Sequence, residues 1–342
     1  MGGGIAGLAA AWDLTRAGAD VTVLESERRP GGVIVTERHD GFLVEGGPDG
    51  FLASEPDLPA LAAELGISSS VVTQQTRGTS RWTGRAFEPL EEGGAAELLG
   101  IEVRGSNLTA GFQSFAGGMA EPVAALAERL LNGLRFTQGV TGIAPARAGW
   151  RVALTGGSAH EAEGLVLALP AYAAGRWLEQ LGVADARALG EVFYAPSVTV
   201  SLAYRADQVG RPLEGTGFVG GTSVRACTYA SSKFPGRAPD SHVLLRAFLA
   251  PVDGNPEHLA HEELAAILGI RGAPLWSRAF HWTRGLPRYR EHHSAHVVAV
   301  RNRLARFAPL TICGAGYDGA GVSACVRSGR DAARVVLGRL GN

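Results

Sequence analysis

Gly2, Gly4 and Gly7 form a G-x-G-x-x-G run in the opening "MGGGIAGLAAAWDLTRAGADVTVLESERRPGG". Glycines at that spacing let a chain turn sharply into a helix, so that backbone N–H groups and the positive end of the helix dipole can hold a pyrophosphate. Glu25 ends the β-rich stretch that follows, about 20 residues on, where a carboxylate accepts ribose hydroxyls in such folds. The far end of the chain supplies a partner, "LTICGAGYDGAGVSACVRSGRDAARVVL". A strand there runs through Gly314, Gly316, Gly319 and Gly321 into an Ala/Val/Arg helix, and its N-terminus can face the polar edge of a ring. Two glycine-rich strand-to-helix turns at opposite ends of one chain predict a single ligand that spans both.

The elements that must position these residues follow from periodicity and punctuation. Ile5, Leu8, Ala9 and Trp12 fall at helical spacing and Gly18 is a stop signal, while "ADVTVLES" reads as a strand ending at Glu25. Leu58, Leu61 and Leu65 mark one further helix, and Val123, Leu126 and Leu130 mark another. "GWRVALTGG", "GLVLALP", "SVTVSLAYR" and "HVLLRAFLA" are apolar, β-branched and bounded by turn residues, which predicts strands. The stretch Glu91 to Gly111 has five glycines and little periodicity, and reads as a connector. The fold class expected is α/β: a dinucleotide-binding, Rossmann-like domain interrupted by an α+β domain with an antiparallel or mixed sheet. No strand precedes Gly2. A central parallel strand is buried on both faces, so its absence predicts unpaired backbone groups in the middle of the sheet and a marginally stable fold, unless the sheet closes around the gap or the glycine loop slides so that Met1 starts a shortened edge.

Composition narrows the function classes. The chain has 342 residues, is 46% hydrophobic and 19% charged, and carries a net charge of -1. That balance fits a folded globular protein and gives no basic excess for nucleic acid. Every basic residue is Arg except Lys233. Cys227, Cys313 and Cys325 are odd in number and widely spaced, which argues against a disulfide framework or a zinc site and points to a reducing, cytoplasmic setting. No apolar run approaches a membrane span and no signal peptide is visible, while peripheral contact with the inner face of a membrane stays open. His292 and His296 are spaced i, i+4, but no carboxylate or Cys completes a ligand set, so no metal is expected. No G-x-S-x-G elbow is present, and Cys227 has no His partner in sequence.

Glu25, Arg29, Gly31 and Gly32 continue the opening motif as E-x-x-x-R-x-G-G, a pattern of flavoproteins that bind FAD in an extended form. With "VEGGPDGFLA", "FQSFAGGMAEPVAAL", "SSKFPGRAP", "LPRYREHH" and "GYDGAGVSACVRSGRDAA", the chain resembles, from end to end, the oxygen-dependent protoporphyrinogen and coproporphyrinogen oxidases of the FAD-linked amine oxidase superfamily. That resemblance implies noncovalent FAD. Gly2, Gly3, Gly4, Ile5, Ala6 and Gly7 would hold its pyrophosphate, Glu25 and Ser26 the adenosine ribose, and Arg29 would belong to the same cofactor-binding set. Val33 with Gly47, Pro48, Asp49 and Gly50 would line the flavin side, Val140 would meet the adenine through its backbone, and Ala320, Gly321 and Val322 would face the isoalloxazine.

The implied reaction is hydride removal from a porphyrinogen to flavin N5, repeated with O2 as acceptor until six electrons have gone. Arg237 is a candidate for the substrate's propionates; a buried structural arginine paired with a backbone carbonyl is the competing reading. The implied division is FAD-binding for 1–50, 116–175 and 286–342, with the substrate domain in 51–115 and 176–285. The family carries a long, largely helical insert between "FEPLEEGG" and "GFQSFAGGM", where this chain has a short connector. The alternatives are therefore a truncated flavoprotein of the same family without turnover, or a related amine or polyene oxidase.

Overall fold

The computed structural model describes residues 1–99 and 108–341. Its first layer is a parallel sheet assembled from distant parts of the chain. Val23–Leu24 pairs with Leu134–Arg135, and Leu165–Leu167 pairs with Leu310–Ile312, both in parallel. Between these two pairs run Met1 and Gly2. The Met1 nitrogen donates to the Val166 carbonyl at 2.8 Å, the Met1 carbonyl accepts from the Ala168 amide at 2.8 Å, and the Gly2 amide donates to the Leu24 carbonyl at 2.8 Å. The gap expected in the middle of the sheet is thus filled: Met1 and Gly2 supply the backbone groups that its neighbours need, and the order across the sheet is 134–135, 23–24, 1–2, 165–167, 310–312.

Side chains alternate across this layer as parallel strands buried on both faces require. Val23 joins a core with Ile5, Leu8, Leu58, Leu61, Phe115, Leu126 and Val326, while Leu24 joins Met1, Trp150, Leu167, Leu178, Val300 and Ile312 on the other side. Helix Ile5–Arg16 buries every residue from Ile5 to Ala11 and then runs out to solvent, with Gly18 at φ +87° just beyond its end. Helix Val322–Leu340 packs directly on it. A Cβ on Gly329 would stand 2.1 Å from the Ala6 carbonyl oxygen, so glycine is what allows this approach.

The second layer is a seven-stranded mixed sheet in the order 276–288, 193–205, 242–249, 224–229, 217–219, 79–82, 87–90. All its pairs are antiparallel except Gly217–Val219 with Thr79–Trp82. Helix Pro256–Leu268 covers one face. Pro at its first position, the Asn255 side chain accepting from the His258 amide, and Gly269 in the left-handed region after its end define its limits. On the other face Phe42, Val44, Ala203, Leu244 and Phe280 form a small core that ties this sheet to the loop after Glu45. Smaller antiparallel sheets join 140–146 with 149–154 and 159–162, 36–39 with 42–45, and 112–115 with 51–52 and 71–73.

Within the stretch read as a connector, Gly94–Leu98 is a short helix, and 100–107 lie outside the described residues. Among the described residues no helix is long and apolar enough to cross a membrane.

Candidate functional site

The glycines of the first turn divide by what a side chain would meet. A Cβ on Gly2 (φ +97°) would lie 2.3 Å from the Ala168 carbonyl oxygen, and one on Gly7 2.0 Å from the Gly2 carbonyl oxygen. Backbone packing alone requires both to be glycine. Gly4 is different: its φ is −69° and a Cβ there would meet nothing within 4 Å. Gly4 precedes a helix with no side-chain cap, so the first-turn amides lack an intrahelical partner, and the space beside Gly4 is open. Gly32 (φ +58°) bounds that space, its own Cβ direction 3.6 Å from the Gly4 Cα.

Two side chains hold this cradle in shape. Glu25, 8% exposed, accepts the Gly3 amide at 2.6 Å through Oε2, and the Glu27 amide at 2.8 Å and the Ser26 hydroxyl at 3.2 Å through Oε1. The Arg29 guanidinium donates to the carbonyls of Pro30, Gly32 and Ile34, fixing the turn that carries Gly31 and Gly32. The Gln138 amide donates to the Glu25 carbonyl at 2.8 Å, which brings the start of strand Val140–Ala146 beside Glu25 and Ser26.

The loop Gly46–Gly50 approaches from the second layer. A Cβ on Gly47 would stand 1.8 Å from the Val33 carbonyl oxygen, so the loop lies flat on the exit of the first turn, where the Val33 side chain is 49% exposed. Trp282 Nε1 donates to the Gly46 carbonyl at 2.8 Å, Arg246 donates to the carbonyls of Gly46 and Gly47, and the Ser114 hydroxyl donates to the Asp49 carbonyl at 2.8 Å. The Asp49 carboxylate pairs with Lys233 at 2.9 Å. Burial pushes the Asp49 carboxyl upward, but Lys233 and Arg246 outweigh it and hold it below the usual carboxylate range.

Arg237 does not reach this cleft. It is 2% exposed, donates to the Phe115 carbonyl and at 2.7 Å to the Ser114 hydroxyl, and lies 3.8 Å from Glu45. Its donors are turned to protein acceptors, so the structure replaces the substrate-binding expectation with the buried structural arginine.

The C-terminal turn meets the first one. Gly314 (φ +115°) would place a Cβ 3.6 Å from the Ala6 side chain, beside the N-terminus of the first helix. The Gly314 amide donates to Ser328 Oγ at 3.0 Å, and that hydroxyl donates to Asp318. Arg301 clamps the same carboxylate with two bonds of 2.7 and 2.6 Å. The turn ends at Gly321, whose helix Val322–Leu340 again lacks a side-chain cap. A Cβ on Gly321 would meet only the Glu55 carboxylate, at 3.6 Å and beyond.

The histidines and cysteines form no second centre. His292 and His296 are exposed, and no cluster of three metal-ligating side chains exists among the described residues. His293 instead stacks on Tyr289 with ring centroids 4.5 Å apart. All three cysteines are free and buried; burial pushes the Cys313 and Cys325 thiols up to about 12 and Cys227 higher still, which leaves them protonated and unreactive near neutral pH.

The structure brings together two helix N-termini without side-chain caps, a buried carboxylate bonded to the first turn, and a glycine loop lying on the exit of that turn. A family model described as flavin containing amine oxidoreductase matches residues 5–87 and 88–337, nearly the whole chain. The chain belongs to that family. It is accordingly an oxidoreductase, and the family implies a flavin.

Among curated relatives, the coproporphyrinogen III oxidase of Propionibacterium freudenreichii is 25% identical over 475 residues, covering 98% of this chain and 90% of the relative. The enzyme of the same name from Bacillus subtilis is 22% identical over 452 residues, covering 97% and 96%. Both alignments are longer than this chain of 342 residues, so these relatives carry segments that it lacks. Among solved structures, a proposed protoporphyrinogen oxidase from Exiguobacterium sp. 255-15 superposes with a TM-score of 0.82 at 23% identity, covering 100% of this chain and 98% of that one. That likeness bears on the fold.

Several residues of the site escaped sequence reasoning. Lys233 stood out as the sole lysine, yet nothing in the sequence joined it to Asp49, 184 positions away. Arg246 lies inside an apolar strand pattern, where a buried charge has no periodic signal. Asp318 could have been suspected, because it sits inside the glycine run; its partner Arg301 could not.

Proposed function

We propose that this chain is an FAD-dependent porphyrinogen oxidase that converts coproporphyrinogen III or protoporphyrinogen IX to the porphyrin with O2 as electron acceptor. The observation that carries this reading is the empty Cβ position of Gly4 over an uncapped helix start, joined through Gly314 to a second uncapped helix start at Gly321. Protein packing explains Gly2 and Gly7 but leaves Gly4 without a reason, and a bound phosphate supplies one.

In this reading the first-turn amides of Ile5, Ala6 and Gly7 bind the pyrophosphate of noncovalent FAD. Glu25 accepts the ribose hydroxyls on the lone pairs its three protein donors leave, and the Val140 backbone borders the adenine. Val33 and the loop Gly47, Pro48, Asp49, Gly50 border the flavin from one side, and Ala320, Gly321 and Val322 from the other. FAD held by these residues would supply a hydride acceptor for the porphyrinogen ring and a route for the electrons to O2. Arg246 and Trp282 hold the Gly46–Gly50 loop flat, and the Arg301–Asp318–Ser328 relay fixes the opposite turn, so protein contacts position both walls.

The names of the two curated relatives support a porphyrinogen substrate, and coproporphyrinogen ahead of protoporphyrinogen. Their extra segments support a second reading, a flavoprotein that binds FAD without turnover. Both are tested by adding FAD to the purified protein, removing the excess, and supplying coproporphyrinogen III in air. Retained FAD with the rise of porphyrin fluorescence is the result expected; retained FAD without porphyrin establishes the second reading, and failure to retain FAD overturns both.

A further inference from the structure

Strand Trp276–Arg288 and its antiparallel partner Phe193–Arg205 each meet one of the two turns that frame the site. At Trp282 the first strand donates to the Gly46 carbonyl; further on, its partner strand places Tyr194, whose hydroxyl accepts the Ala171 amide at 2.9 Å and lies 2.7 Å from where a Gly316 Cβ would stand. Between these anchors the pairing is interrupted by a bulge: Ser197 faces Trp282, and Ala195 already faces Leu286. Gly285 is pressed into it, 2.8 Å from the Ala195 carbonyl oxygen at its Cβ position. A bulge re-aims the side chains it carries. Here it turns Arg284 onto the ring of Tyr172, with the guanidinium carbon 3.9 Å from the ring centroid, while Tyr194 braces that ring edge-on at 5.3 Å.

We propose that Arg284, held on the Tyr172 ring, binds a carboxylate of the substrate at the mouth of the cleft. The proposal rests on the porphyrinogen reading and identifies that carboxylate as a propionate side chain of the macrocycle. Other arginines nearby are engaged: Arg278 forms two bonds to Glu37, Arg288 donates to the Leu99 carbonyl, and Arg290 pairs with Glu191. Tyr172 also lines an open groove with Arg176 and Glu179, whose charges offset each other, so the net positive charge beside that ring comes from Arg284. Arg284 is exposed and has no carboxylate within ion-pair distance among the described residues. A guanidinium held over an aromatic ring still has N–H donors free for a carboxylate, which it can receive through two parallel bonds. Phe193 and Leu286 are exposed on the same pair of strands, 57% and 36% respectively, and give the macrocycle an apolar flank.

The test uses the FAD-loaded protein and two oxidised porphyrins that undergo no turnover, coproporphyrin III and its tetramethyl ester, each titrated by fluorescence. Wild type is expected to prefer the free acid; Arg284→Gln is expected to lose about tenfold in affinity for the acid and nothing for the ester. Arg284→Lys should recover part of the loss, and Tyr172→Ala should reproduce it by removing the platform. Unchanged melting temperature in Arg284→Gln is expected of an exposed side chain. If wild type distinguishes acid from ester and Arg284→Gln does so equally well, the proposal is overturned while the porphyrinogen reading stands. If wild type binds neither porphyrin, both fall.

Discussion

The Gly3 amide donates to Glu25 Oε2 across 2.6 Å of buried space, so the turn that would carry the pyrophosphate and the acid that would carry the ribose are one unit. A strand-end glutamate on the surface would change stability by less than about 0.5 kcal/mol when removed. At 8% exposure and with the Glu27 amide also bonded to it, Glu25 is not such a residue. Glu25→Ala is expected to cost about 1–3 kcal/mol for each buried donor left unpaired, in addition to weakening FAD. Urea unfolding of the FAD-free variant checks this; a stability equal to wild type would show that the bond does not support the turn.

Gly4 separates ligand from fold. A Cβ there meets nothing, its φ is compatible with any residue, and alanine at a helix start costs about 1 kcal/mol at most relative to glycine. Gly4→Ala should therefore fold nearly as well as wild type and retain far less FAD. Gly7→Ala, with a carbonyl oxygen 2.0 Å from the new methyl, should fail to fold. Circular dichroism of the apoproteins with FAD retention on desalting distinguishes the two.

How much of this was legible in the sequence follows the range of each interaction. The first helix, Gly18 as its stop, the strand before Glu25 and the C-terminal strand-turn-helix are local patterns, and the structure contains each of them. That Met1 could start a shortened strand was legible only as one of two compensations, and at an edge; its place in the sheet centre with Gly2 was not, because it needs only backbone atoms and leaves no periodic trace. The short helix Gly94–Leu98 inside a glycine-rich stretch was missed for a related reason: five residues are too few to show a period. Arg237 was visible as an arginine of interest, but its burial between Phe115, Ser114 and Glu45 depends on segments far away in sequence.

Arg237 should behave as a structural residue. Arg237→Ala leaves Glu45, at 5% exposure, without its buried cation, a change that costs about 3–5 kcal/mol. Burial already raises the Glu45 carboxyl above the usual range despite its bonds from Thr36 and Met119, and loss of Arg237 should raise it further. Denaturant midpoints should fall sharply. Selectivity between coproporphyrin III and its ester should not move in whatever fraction stays folded, and a loss of that selectivity would return Arg237 to the substrate site.

The pairing of Asp318 with Arg301 predicts how the C-terminal turn responds to acid. Burial raises the Asp318 carboxyl, but the two bonds from Arg301 and the one from Ser328 outweigh it, and the group lies below the usual carboxylate range. A carboxylate depressed in the folded state contributes stability that is complete above its unfolded value, about 3.9, and is lost as pH falls through the lower folded value. The contribution should thus hold from neutral pH down to about 4 and decline below that. Asp318→Asn removes the charge that Arg301 holds, so it should lower stability at neutral pH and flatten the acid limb of the stability curve. Since the same carboxylate receives the Ser328 hydroxyl that accepts the Gly314 amide, the variant should also loosen the turn beside Ala6 and weaken FAD retention. Urea midpoints measured from pH 7 to pH 3 decide the matter: parallel curves for wild type and Asp318→Asn would mean that the Arg301 pair, though well formed, does not couple this turn to the proton.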